Sequence, residues 1–186
     1  LKGYDLMFQS MIPFTLEPTY PVTLEGFLSA ICTELGWTDG FTGITNGTYS
    51  ITADLYLNRG YTFRDVLDDI AEASGSIIRF DTNDDLVVIP PVIGEAQVET
   101  LDVGDLENLD VQNKFGGINS VNFSRYPVIG DDITEQDSAG ISANGLIEIR
   151  FVKNPILDAD RETLITDVYG VLHNFIMYPF SAGSWG

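Results

Sequence analysis

Tyr61-Thr62-Phe63-Arg64-Asp65-Val66-Leu67-Asp68-Asp69-Ile70-Ala71-Glu72-Ala73-Ser74-Gly75 carries the clearest structural signal in this chain. Thr62 and Asp65 have the spacing of a capping box, in which a hydroxyl and a carboxylate satisfy each other's backbone N–H at a helix start. Phe63, Val66, Leu67, Ile70 and Ala71 recur with the helical period, and Gly75 supplies a residue that ends a helix. The spacing predicts an amphipathic helix, and its apolar stripe needs a partner.

Both flanks supply one. On the N-terminal side, Pro21 to Gly36 predicts a second helix capped by Thr23, with Leu24, Phe27, Leu28, Ile31 and Leu35 on one face and Gly36 at its end. Tyr49 to Leu57 alternates and predicts a half-buried strand with Tyr49, Ile51, Ala53, Leu55 and Leu57 on one side. On the C-terminal side, Ser76–Phe80 and Leu86–Ile89 predict a hairpin joined by the polar turn Asp81 to Asp85. Pro90 and Pro91 then punctuate the chain, because proline cannot donate to a sheet. A first lobe, residues 1–91, is expected to hold two helices on a small sheet.

The second lobe, 92–186, is expected to be more β-rich. Strands are expected at Gln97–Val103, Ile118–Arg125 and Gly145–Phe151, with an exposed loop over the Gly-, Asp- and Ser-rich Gly130–Asn144. A closing helix is expected from about Asp160 to His173, interrupted by Gly170. The fold class is α+β, with small mixed sheets and two or three packed helices. The start at Leu1 reads as that of a piece of a longer polypeptide.

Composition narrows the partners. The 186 residues carry 28 Asp plus Glu against nine Lys plus Arg, a net charge of -19, while 44% hydrophobic residues supply a core. Nucleic acid is an unsuitable partner, because phosphate backbones are bound by clustered cations and those here are scattered. No apolar run approaches the roughly 20 residues of a membrane span, so membrane insertion is not expected.

Few residues offer chemistry. Asp81, Asn83 and Asp85 imitate the start of a calcium loop, but Leu86 stands where glycine is needed and Val92 where the bidentate glutamate is needed. Asp131 and Asp132 are adjacent loop carboxylates, expected to stay ionised. His173, the one histidine, falls at a helix end, where a capping role is expected. Cys32, the one cysteine, falls on an apolar helical face and reads as a buried thiol. The sequons at Asn46 and Asn122 read as chance. No catalytic, cofactor-binding or metal-ligating residue is assigned, and no cofactor is expected.

Several phrases follow one another in a telling order: Tyr4-Asp5-Leu6-Met7, Tyr20-Pro21-Val22-Thr23-Leu24, the Thr62–Gly75 helix, Asn154-Pro155-Ile156-Leu157, and Tyr178-Pro179-Phe180. In this order they resemble the tail-tip or baseplate-hub proteins of long-tailed phages, seen also as prophage minor structural proteins. The closing phrase departs from the family's Y-x-P-F, since Tyr178 and Pro179 are adjacent. The resemblance implies a non-enzymatic virion component, made in the bacterial cytoplasm, that assembles with other phage tail proteins as a homo-oligomeric ring. Two alternatives stand beside it. One is a cell-wall or peptide hydrolase domain of a tail protein, which would have to use His173. The other is a host-surface (glycan) binding module using the Gly130–Asn144 loop.

Overall fold

A computed structural model describes residues 4–90, 109–111, 118–124, 132–173 and 180–182. At its centre lies helix α3, Phe63–Ser74, formed as its sequence dictates. The Asp65 N–H donates to the Thr62 hydroxyl at 3.2 Å, and the Thr62 N–H donates to Asp65 Oδ2 at 2.7 Å, which closes the capping box. Gly75 ends the helix at φ 60°, a left-handed conformation open to glycine at little cost. Phe63, Val66, Leu67 and Ile70 are fully buried, each contributing roughly 1.5–3 kcal/mol of transfer free energy.

In the N-terminal half, helix α1 (Tyr4–Gln9) leads through an irregular segment to strand β1 (Val22–Thr23) and helix α2 (Leu24–Leu35). Thr23 caps α2 by accepting from the Gly26 N–H, and Gly36 ends it at φ 70°. Helix α2 packs on α3. Strand β3 (Ser50–Ile51) pairs antiparallel with β1. Strands β4 (Ile77–Phe80) and β5 (Asp85–Ile89) form the expected hairpin, and β2 (Thr38–Asp39) adds to β5 in parallel. Phe14, Phe27, Tyr56, Tyr61 and Phe63 form an aromatic cluster, with Phe27 and Tyr56 stacked at 6.0 Å.

The long strand expected over Tyr49–Leu57 is shortened to β3. Asp54 is the reason: its Oδ1 accepts the N–H groups of Tyr56 and Leu57 at 3.0 and 2.9 Å, turning the chain out of the sheet. The turn also reverses the alternation, so Tyr56 is buried at 1% exposure while Ala53 faces solvent.

In the C-terminal half, β7 (Ser120–Ser124) is the central strand of a sheet in the order β8-β7-β9, with β8 (Ile133–Gln136) antiparallel and β9 (Glu148–Val152) parallel to it. The apolar face of this sheet, which includes Val121 and Phe123, packs against helix α6 (Arg161–Leu172). Opposite, Asn122 Nδ2 donates to Thr134 Oγ1 at 2.7 Å. The exposed loop expected over Gly130–Asn144 is corrected where it is described. Ile133–Gln136 forms β8, and Asp137 caps helix α4 (Ser138–Asn144) by accepting from the Ala139 N–H. Pairing with β7 overrides the polar composition of that stretch.

Helix α5 (Pro155–Ala159) precedes α6, and β10 (Phe180–Ala182) returns to pair with β6 (Leu109–Val111). The strand expected at Gln97–Val103 lies outside the described residues. Among the described residues the architecture is mixed α+β, and α6 is the last helix. One hydrophobic core runs through both halves, from Leu24 and Phe27 through α3 to Ile156, Leu164 and Val168.

Candidate functional site

Two asparagines hold α3 to the C-terminal half. Asn46, left-handed at φ 57°, donates from Nδ2 to the carbonyls of Ala73 at 2.8 Å and Leu164 at 3.3 Å. Asn154, fully buried, donates from Nδ2 to the Asp69 carbonyl at 2.8 Å and to Glu72 Oε2 at 3.0 Å. Its Oδ1 accepts the N–H groups of Ile156 and Leu157, capping α5. Pro155 at the first helical position needs no such partner.

Asn154 meets a cluster of carboxylates and phenols on α3 that composition and periodicity leave unmarked. Asp69 and Glu72 lie one turn apart and both are half-buried. Burial, reinforced by the neighbouring Glu72 charge, pushes the Asp69 carboxyl up to about 7, against the smaller opposing effect of the Tyr56 hydroxyl. Burial also raises Glu72, while its bond from Asn154 pulls the other way. The Tyr56 phenol is raised well above its ordinary value, first by burial and then by the Asp69 charge. Tyr56 and Asp69 face each other without a well-formed hydrogen bond, since the buried Tyr56 hydroxyl and Asp69 Oδ2 both lack a partner of good geometry.

The residues singled out from sequence are scattered. Asp81 Oδ1 accepts the N–H groups of Asn83 and Asp85 at 2.8 and 3.0 Å, so this carboxylate organises the hairpin turn. Those backbone bonds hold its pKa below the usual carboxylate range. Asp132 is exposed, and Asp131 lies outside the described residues. Cys32 is buried, its thiol pushed up to about 12, chiefly by burial. His173 Nδ1 lies 3.0 Å from the Ile118 carbonyl and 3.1 Å from the Tyr169 hydroxyl. A carbonyl only accepts, so Nδ1 carries the proton of that bond. The sequon asparagines Asn46 and Asn122 are committed to internal hydrogen bonds. Among the described residues no group of three His, Cys, Asp or Glu could hold a metal ion, and no helix is long and apolar enough to cross a membrane.

The surface offers a second kind of feature. Phe8, Met11 and Ile12 are exposed near the end of α1, although Gln9 is anchored by the Trp37 indole at 3.0 Å. Strands β4 and β9 lie at sheet edges and carry exposed Ile77 and Val152.

No family model matches the chain, and no curated protein does. Among solved structures it is similar to the 43 kDa tail protein of prophage MuSo2 from Shewanella oneidensis, at 15% identity and a TM-score of 0.44, covering 81% of this chain and 43% of that one. It is similar to the tail protein from Neisseria meningitidis MC58, at 15% identity and TM-score 0.46, covering 87% and 52%. It is also similar to prophage tail protein gp18 from Listeria monocytogenes EGD-e, at 14% identity and TM-score 0.44, covering 81% and 47%. All three are tail proteins. This chain spans about half the length of each.

Proposed function

We propose that this chain is a structural component of a phage or prophage tail, acting in assembly of the tail tip or baseplate hub, without catalytic activity of its own. The observation that carries the reading is where the family-like phrases meet. Asn154 of the N-P-I-L phrase reaches Asp69 and Glu72 of the Thr62–Gly75 phrase, and α2, started by Thr23 of the Y-P-x-T-L phrase, packs on the same helix. The residues behind the resemblance are caps and core contacts, the use that a scaffold makes of its sequence.

Two placements support the absence of catalysis. The Cys32 thiol is buried away from any substrate, and His173 Nδ1 is committed to a backbone carbonyl. The two-lobe division at 91/92, the homo-oligomeric ring, other phage tail proteins as partners and a place in the virion belong to the same proposal. The edges of β4 and β9 are surfaces that strand addition between subunits could use.

The test uses the full-length protein and purified particles. Mass spectrometry is expected to find the protein in the particles, and sedimentation to show concentration-dependent association. A protein that stays monomeric at every concentration and is absent from particles overturns the reading. Peptidoglycan or peptide hydrolysis that disappears in His173→Ala would replace it with the enzymatic one.

A further inference from the structure

The junction between α3 and α5 contains groups that a scaffold does not need. Asp69 and Glu72 share one face of α3, where a buried, unpartnered phenol from Tyr56 and the amide of Asn154 meet them. Apolar side chains of this size would pack without a desolvation cost. We propose that Asp69 and Glu72 form a proton-operated latch on α5, closed while the carboxyl of Asp69 facing Tyr56 keeps its proton and loosened when that proton passes to solvent.

The physical sequence follows from the placement. With Asp69 neutral, Glu72 is the one charge of the pair and accepts from Asn154, whose Oδ1 holds the first turn of α5. Ionising Asp69 puts a second negative charge one turn away in a half-buried site, where repulsion is screened less than in water. That repulsion bears on Glu72, whose displacement would remove a bond that orients Asn154. Burial weakens both carboxyls as acids, raising Asp69 to about 7 and Glu72 above its ordinary value.

The surrounding groups reinforce the effect. Helix α3 adds Asp65 and Asp68, both acting to keep the Asp69 proton. The preceding loop brings Tyr56, and Tyr61 edge-on to it, with Arg59 acting on Tyr61. Helix α5 brings half-buried Asp158, and α6 begins with half-buried Arg161 and exposed Glu162. The buried faces of α2 and α6 are apolar except for the Cys32 thiol, and Arg79 of β4 is exposed.

Amide hydrogen exchange on the whole chain reads the latch at the Ile156 and Leu157 N–H groups. After correction for intrinsic rates, their protection should fall between roughly pH 5.5 and 8.5 by about tenfold more than that of Ile31 in α2, which follows only the change in overall stability. Asp69→Asn should abolish the change. Protection that is independent of pH, that falls equally at Ile31, or that still falls in Asp69→Asn overturns the proposal. Should Asp69→Asn fail to fold, the carboxyl carbon of Asp69 in the unmodified protein decides by NMR. A midpoint near 7 with a concurrent shift of the Asn154 side-chain amide supports the latch, and a midpoint near the ordinary 3.8 overturns it.

Discussion

Asn154 Nδ2 lies 3.0 Å from Oε2 of Glu72, joining residues 82 positions apart. The same side chain caps α5 and satisfies the Asp69 carbonyl, so several polar groups depend on it. Asn154→Ala is therefore expected to cost roughly 2–4 kcal/mol, more than an exposed cap, because the groups left behind are buried. Asn154→Asp keeps the cap acceptor, loses both donated bonds and adds a like charge beside Glu72. Its deficit should grow with pH, and that of Asn154→Ala should not share this added repulsion. Urea denaturation at several pH values measures both.

Asp69 sets a slope of stability against pH. Its carboxyl is raised from 3.8 to about 7, so between those values the native state holds a proton that the unfolded chain has released. Stability from this group is fully present below the unfolded value and is lost as pH rises through the folded one. A shift of this size corresponds to at most roughly 4 kcal/mol. Denaturation midpoints should decline from the acid side toward pH 8, and Asp69→Asn should flatten that decline. A midpoint that rises over the same range would contradict it.

Much of the fold was legible because its signals are local. Thr62, Asp65 and Gly75 begin and end α3 within one short stretch, and Thr23 and Gly36 do the same for α2. The alternation over Tyr49–Leu57 misleads because Asp54 captures two backbone N–H groups and breaks the period. Ile133–Gln136 hides in a loop-like composition because its strand state depends on β7. The carboxylate cluster was not legible at all. Asp65, Asp68, Asp69 and Glu72 read alike along α3, and only the tertiary position of Tyr56 and Asn154 separates the half-buried pair from the exposed Asp65 and Asp68.

Two glycines should respond differently to the same change. A methyl group at Gly47 would lie 2.7 Å from the Ile44 carbonyl and 2.9 Å from Glu25 Oε2. That carboxylate already accepts from the Gly43 and Ile44 N–H groups, so the loop cannot yield without losing bonds. Gly47→Ala is expected to cost roughly 3 kcal/mol. At Gly36 a methyl group meets nothing within 4 Å, and the penalty comes from φ 70° alone. Gly36→Ala should cost about 1 kcal/mol. Equal losses in thermal denaturation would refute the steric account.

Cys32 gives the most direct probe of the N-terminal core. Burial drives its thiol up to about 12, with the Asp39 charge adding to the effect. At pH 8 the thiolate fraction is then roughly one in ten thousand, against about a quarter for a free cysteine. A thiol reagent should leave the native protein unlabelled over minutes and modify it at once in urea. The rate in intermediate urea should follow the population of opened molecules, because the side chain is 1% exposed and packs within the same core as Leu28 and Ile31. Comparing that rate at pH 6 and 8, after correction for the thiolate fraction in the unfolded chain, separates local from global opening. If α5 alone loosens with pH, Cys32 should not follow it beyond the change in overall stability. Labelling that outpaces global unfolding at pH 8 would place α2 within the mobile unit and contradict a latch confined to the α3–α5 junction.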